Sequence, residues 1–123
     1  TDISLFTTGH MVWESIIACE NLKKEGINVD LINITTIKPL DKEIILDSVS
    51  KTKLVVTAEE HQKLGGLGAS ISQLLSEKLP TFVEMVAVDD SFGESGKPKE
   101  LLKKYKLDSV NIELACKKAL LKK

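Results

Sequence analysis

Short β-rich runs alternate with helical stretches along the chain. Ile3–Thr8 (ISLFTT) reads as a strand that Gly9 breaks. Over Met11–Glu25 the apolar positions Val12, Ile16, Cys19 and Leu22 recur at helical spacing, and Gly26 ends that helix. Ile27–Ile34 (INVDLINI) alternates as a second strand. Thr35–Leu40 reads as a loop with Pro39, and Asp41 suits the N-cap of a helix over Lys42–Ser50. Lys53–Ala58 (KLVVTA) predicts a third strand, apolar on both faces, and a Gly-rich turn leads into a helix over Gly66–Lys78. Phe82–Val88 (FVEMVAV) predicts a fourth strand. A polar loop over Asp89–Lys97 precedes Pro98, which suits the first turn of a helix to Lys106, and a last amphipathic helix spans Ser109–Leu121.

Strands alternating with crossover helices imply right-handed βαβ units and a mainly parallel sheet with helices on both faces. In such sheets ligands sit beyond the C-terminal ends of the strands. The chain offers Thr8, Gly9 and His10 after the first strand. After the third it offers Glu59, Glu60 and His61, then the run Lys63–Gly68 (KLGGLG). After the fourth come Asp89, Asp90 and Ser91, then Gly93–Gly96 (GESG).

Composition narrows the functions open to these residues. The chain has 123 residues, 42% of them apolar, which suffices for one core and is short for two domains. Net charge is −1, so no global field recruits nucleic acid. All 17 basic residues are Lys, so an anion must be held by Lys, His or backbone N–H groups rather than by an Arg fork. The basic residues gather late: residues 98–123 carry 8 Lys against 3 acids, which reads as a solvated helix face. Cys19 and Cys116 stand far apart in sequence without metal spacing and read as reduced, buried thiols. No apolar run nears the ~18 residues of a membrane span, and no signal peptide pattern opens the chain. The start, almost directly in a strand and without Met, suggests a piece of a longer polypeptide.

The Gly65–Gly68 turn opens a helix, and helix N-termini attract anions. Its spacing matches neither a dinucleotide fingerprint nor a P-loop, so the glycines read first as backbone or packing requirements and second as an anion site. The pairs Glu59–Glu60 and Asp89–Asp90 could hold Mg²⁺ or act as acid and base, or else cap helices and face solvent. His10 and His61 approach one another if the first and third strands are neighbours. No nucleophile elbow is present. Of the receiver-like and flavodoxin-like alternatives, the receiver would place its acids after the first strand, where Thr-Thr-Gly-His stands instead.

Four stretches in order make the chain similar to a known family: Ile3–Gly9 (ISLFTTG), Val29–Asp41 (VDLINITTIKPLD), Leu54–His61 (LVVTAEEH) with Gly65–Gly68 (GGLG), and Phe92–Tyr105 (FGESGKPKELLKKY). Over almost its whole length it resembles the C-terminal domain of transketolase, related to domains of 1-deoxyxylulose-5-phosphate synthase and of 2-oxoacid dehydrogenase beta subunits. The resemblance implies one domain over residues 1–123, a three-layer αβα fold, and a four-stranded, mainly parallel sheet in the order 2-1-3-4. A fifth, antiparallel strand would come from upstream. It implies a parent transferase of the pentose phosphate pathway that moves a two-carbon ketol unit between sugar phosphates, using thiamine diphosphate with Mg²⁺ or Ca²⁺.

Nothing in the chain matches the family's diphosphate–metal motif or its activating glutamate. The resemblance therefore implies no catalytic, cofactor or metal residue here, and an isolated chain without activity. It implies pyrophosphate- and pyrimidine-binding domains as partners, a homodimer, a cytoplasmic location, and neither nucleic acid nor membrane. His10, Glu60, His61, Gly65, Gly66 and Gly68 are the expected ligand or domain-interface residues. The alternative is a free-standing nucleotide- or phosphate-binding α/β module built on the Gly65–Gly68 turn.

Overall fold

The computed structural model describes residues 1–9, 11–35, 39–62, 66–88 and 108–123. The elements run β1 (Ile3–Thr7), α1 (Met11–Lys24), β2 (Val29–Asn33), α2 (Lys42–Thr52), β3 (Val55–Gln62), α3 (Leu67–Lys78), β4 (Val83–Val88) and α4 (Ser109–Leu120). The loop and helix expected over Asp89–Lys106 lie outside the described residues.

The four strands form one parallel sheet in the order β2-β1-β3-β4. All five residues of β1 are buried, as a central strand covered on both faces requires. Alternation divides the strand residues between two cores. Ile3, Leu5, Val56 and Ala58 pack with Met11, Ala18, Leu22, Ile112 and Cys116 under α1 and α4. Phe6 and Val55 pack with Ile45, Val49, Leu67, Ile71 and Leu75 under α2 and α3. Each fully buried Leu, Ile or Phe contributes about 1.5–3 kcal/mol, so this two-sided burial is what makes the three layers one unit.

Two local results differ from the pattern reading. On α1 the buried stripe is Met11, Ser15, Ala18 and Leu22, while Val12, Ile16 and Cys19 flank it half-buried. Small Ser15 and Ala18 let the helix sit low on the sheet, which the larger apolar side chains would prevent. The third strand also runs on to Gln62, so Glu59, Glu60 and His61 belong to β3 rather than to the loop after it. Pairing with β4 carries it: Ala58 lies opposite Val86 and Gln62 opposite Val88, leaving two extra residues in β3 at this irregularity.

Between the sheet and α2 lies a chain of buried hydroxyls. Ser4 Oγ is 2.6 Å from both Ser48 Oγ and Thr52 Oγ1, and Ser48 Oγ donates to Asp30 Oδ2 at 2.6 Å. The protons can run one way, from Thr52 through Ser4 and Ser48 to the carboxylate, so each hydroxyl donates once and none is orphaned. Asp41 Oδ1 accepts from the Ile44 N–H at 3.3 Å and caps α2 as expected.

Candidate functional site

β1 has β2 on one side and β3 on the other, so the connections leaving β1 and β3 depart on opposite sides. This is the switch point at which open α/β sheets place ligands. Gly9, at φ +60°, makes the turn out of β1 in a conformation that favours glycine. Ser15 Oγ on α1 donates to Thr7 Oγ1 at 3.1 Å and ties the helix to the strand end.

On the other side of the crevice the decisive residue is Glu59. Its side chain lies on the α3 face of the sheet, in step with Val55 and Thr57, and it is fully buried. Glu59 Oε1 accepts from the Leu67 N–H at 2.7 Å and Oε2 from the Gly68 N–H at 2.6 Å. The carboxylate thus occupies the N-terminus of α3, where unpaired N–H groups and the helix dipole favour negative charge. The Gly68 position makes this reach possible. A Cβ there would meet Thr57 Oγ1 at 2.8 Å and Met85 Sδ at 2.9 Å, so only glycine lets the helix start approach the sheet this closely. Gly66 caps α3 at φ −90° and ψ −166°, extended backbone open to any residue. The glycine requirement established in this turn is therefore one of close packing at Gly68.

The six expected site residues fare as follows. Gly66 and Gly68 stand at the start of α3, and Glu60 and His61 are in β3. His10 and Gly65 lie outside the described residues. The first and third strands are neighbours, as the expected approach of their loops requires. Glu59 and Thr57 carry the geometry that the pattern reading did not single out. Glu59 stood there only as half of a carboxylate pair. Its spacing of eight residues from Leu67, across a Gly-rich turn, is the signal that marks it. Thr57 Oγ1 is a buried side-chain oxygen without a hydrogen-bond partner.

Elsewhere, an open cleft beyond the end of β2 is lined by Asn33, Ile34, Thr35, Pro39, Asp41 and Ile44, none of them an expected site residue. Among the described residues no group of three His, Cys, Asp or Glu side chains could hold a metal ion. No helix among them is long and apolar enough to cross a membrane. Both cysteines are free. Burial pushes the Cys19 thiol up to about 11. Burial, with Cys19 and Glu113 nearby, pushes Cys116 up to about 12. Neither is a poised nucleophile.

The parallel three-layer sheet with its switch point defines a doubly wound α/β domain. Residues 1–112 match the family model for the transketolase C-terminal domain, and the chain belongs to that family. It is 40% identical over 111 residues to a 6-deoxy-6-sulfo-D-fructose transketolase subunit of Clostridium sp. (strain MSTE9), covering 90% of this chain and 34% of that protein. It is 43% identical over 111 residues to the 1-deoxy-D-xylulose-5-phosphate synthase of Caldanaerobacter subterraneus subsp. tengcongensis, covering 89% of this chain and 18% of that one. A solved split-gene transketolase, described as an inactive beta4 tetramer, superposes with a TM-score of 0.93 at 39% identity, covering 98% of this chain and 39% of that one. The chain therefore spans less than two fifths of each of these relatives.

Proposed function

We propose that the chain serves, over residues 1–123, as the C-terminal assembly domain of a transketolase-type enzyme. That enzyme would transfer a two-carbon ketol unit between sugar phosphates in the cytoplasm. The observation that carries the reading is the family match over residues 1–112 in a chain about a third the length of a transketolase subunit. The relative described as a beta4 tetramer supports an assembly role.

Thiamine diphosphate and its Mg²⁺ or Ca²⁺ would be held by pyrophosphate- and pyrimidine-binding domains. The described residues of this chain do not fit them. A diphosphate needs free N–H donors at a helix start, and those of Leu67 and Gly68 are already taken by Glu59. A second anion beside that buried carboxylate would meet like charge. The same occupancy weighs against the phosphate-module alternative. The crevice edge from His10 to Glu60, His61 and the Gly65–Gly68 turn would then face a neighbouring domain of the enzyme, in a homodimeric parent.

Two measurements test this. Calorimetric titration of thiamine diphosphate with Mg²⁺ into the chain should show no micromolar binding. Ketol transfer from a ketose phosphate should require the chain together with the polypeptide that carries the other two domains. Micromolar cofactor binding to the chain alone, or full transfer activity without it, overturns the proposal.

A further inference from the structure

The chain holds two methionines, in contrasting places. Met11 is fully buried in the core under α1 and α4. Met85 stands on β4, an edge of the described sheet, and is partly exposed. It lies opposite Thr57 in the β3–β4 register, and both side chains reach the start of α3. A Cβ on Gly68 would stand 2.9 Å from Met85 Sδ, 3.0 Å from its Cγ and 2.8 Å from Thr57 Oγ1. The thioether, the hydroxyl and the Gly68 backbone therefore meet at one point, with no room for another atom between them. The Thr57 hydroxyl is fully buried there without a partner. An unused buried donor is costly, and a site that keeps one calls for an account. Thioether sulfur accepts hydrogen bonds only weakly, whereas oxidation to the sulfoxide makes the same side chain polar.

We propose that Met85 is a reversible oxidation site, where a peroxide converts the thioether to a sulfoxide that bonds the Thr57 hydroxyl and wedges the start of α3 away from Glu59. In this step the peroxide O–O bond breaks and an S–O bond forms. The sulfur loses two electrons, and the peroxide is reduced and leaves as water. A dithiol-dependent sulfoxide reductase runs the reverse reaction, its dithiol becoming a disulfide and the oxygen leaving as water. Oxidation of a thioether needs access to the sulfur and no ionisation, which selects Met85 over the other sulfurs of the chain. Met11 is sealed in its core, and burial keeps the Cys19 and Cys116 thiols protonated at neutral pH. The consequence follows from the packing. The unpartnered donor draws the new oxygen inward, where the Gly68 backbone already fills the space. The Gly68 N–H then moves off Glu59 Oε2, which it meets at 2.6 Å, and the adjoining Leu67 bond at 2.7 Å is loosened with it.

The inference rests on this contact and not on the function proposed above, so the two fail separately. Dilute hydrogen peroxide is added to the native chain, and peptide masses are followed. One added oxygen should appear at Met85 well before Met11, whereas in denaturant the two should oxidise alike. The oxidised chain should stay folded, with its urea midpoint lowered by about 0.5–1 M. Amide exchange at Leu67 and Gly68 should quicken at least about tenfold, ahead of exchange later in α3. A methionine sulfoxide reductase with dithiol should restore both values. Met85→Leu should abolish both responses to peroxide. Thr57→Val, compared with its own reduced form, should lose at least about twice as much of its midpoint as the parent chain, because the sulfoxide oxygen then has no buried donor. Equal oxidation of both methionines in the native chain overturns the proposal. So does unchanged exchange at Leu67 and Gly68 once the Met85 sulfoxide has formed, or a midpoint shift in Thr57→Val no larger than the parent's.

Discussion

Glu59→Gln removes one charge and one acceptor while leaving the side chain's volume unchanged. The native carboxylate receives two N–H groups at 2.7 and 2.6 Å in a fully buried site. The amide keeps one acceptor oxygen and turns an NH₂ toward the second donor. The loss comprises one charge-assisted hydrogen bond, about 1.5–3 kcal/mol, and a buried N–H left without a partner, about 1–3 kcal/mol. Removing the anion from the helix start costs a further ~0.3–1 kcal/mol. Relief runs the other way, because a buried carboxylate is expensive to desolvate and the amide much less so. The net expectation is a destabilisation of about 1–3 kcal/mol. For a domain of this size that lowers the thermal midpoint by roughly 4–12 °C. The assay is urea unfolding followed by circular dichroism at pH 7, with Glu43→Gln in the exposed first turn of α2 as the control. That control should stay within about 0.5 kcal/mol. Amide exchange at Leu67 and Gly68 should accelerate in the Glu59→Gln variant before exchange elsewhere in α3 does. A Glu59→Gln midpoint indistinguishable from the control's would refute the claim that this carboxylate holds the helix end.

Three further outcomes follow from the same geometry. Gly68→Ala should cost about 1–3 kcal/mol by overpacking against Thr57 and Met85. Thr57→Ala should recover at least about 1 kcal/mol of that in the double variant, and additive unfolding energies would show that the two positions do not touch. Ser48→Ala should cost about 1–3 kcal/mol, because it leaves the buried Ser4 hydroxyl and Asp30 without their shared partner. Unchanged urea midpoints would remove the hydroxyl chain from the account of stability. Finally, the thiols make stability fall in alkali. Unfolded cysteines ionise near the ordinary 9.0, whereas burial holds Cys19 to about 11 and Cys116 to about 12, so above pH 9 the unfolded state binds fewer protons. Their contribution is whole below that value and is lost as pH rises toward 12. Urea midpoints of Cys116→Val should show a shallower decline than the parent chain between about pH 8 and 10.5, and parallel declines would contradict this.

The layering of this fold is legible in the sequence because one property, burial of alternate or every third to fourth residue, decides it. Strand order and the neighbourhood of β1 and β3 come from the family resemblance that the four motifs carry, because connection rules alone leave the order open. Two features resist that reading for a shared reason. On α1, the contact face is chosen by how closely the helix approaches the sheet, so Ser15 and Ala18 outrank larger Ile16 and Cys19. At the β3–α3 junction, a carboxylate at the edge of a strand looks like a solvent or metal ligand until the helix start is seen to close over it. Pattern reports what a side chain prefers on average. It is silent on the distance between two backbones, and distance is what sets the roles of Gly68, Thr57 and Glu59.

The Glu59 bonds join two points of the chain eight and nine residues apart, and so close the base of the turn between β3 and α3. Residues 60–62 within that span belong to β3, and the connection that follows them runs between two fixed points, Gln62 in the strand and the Glu59-held start of α3. Its length enters stability only through loop-closure entropy, which rises by about 0.6 kcal/mol for each doubling. The junction is in effect a socket, into which segments of different length and composition can be set without retuning either core. Such a design lets the connecting sequence be selected for the surface it meets, while the domain beneath it stays the same.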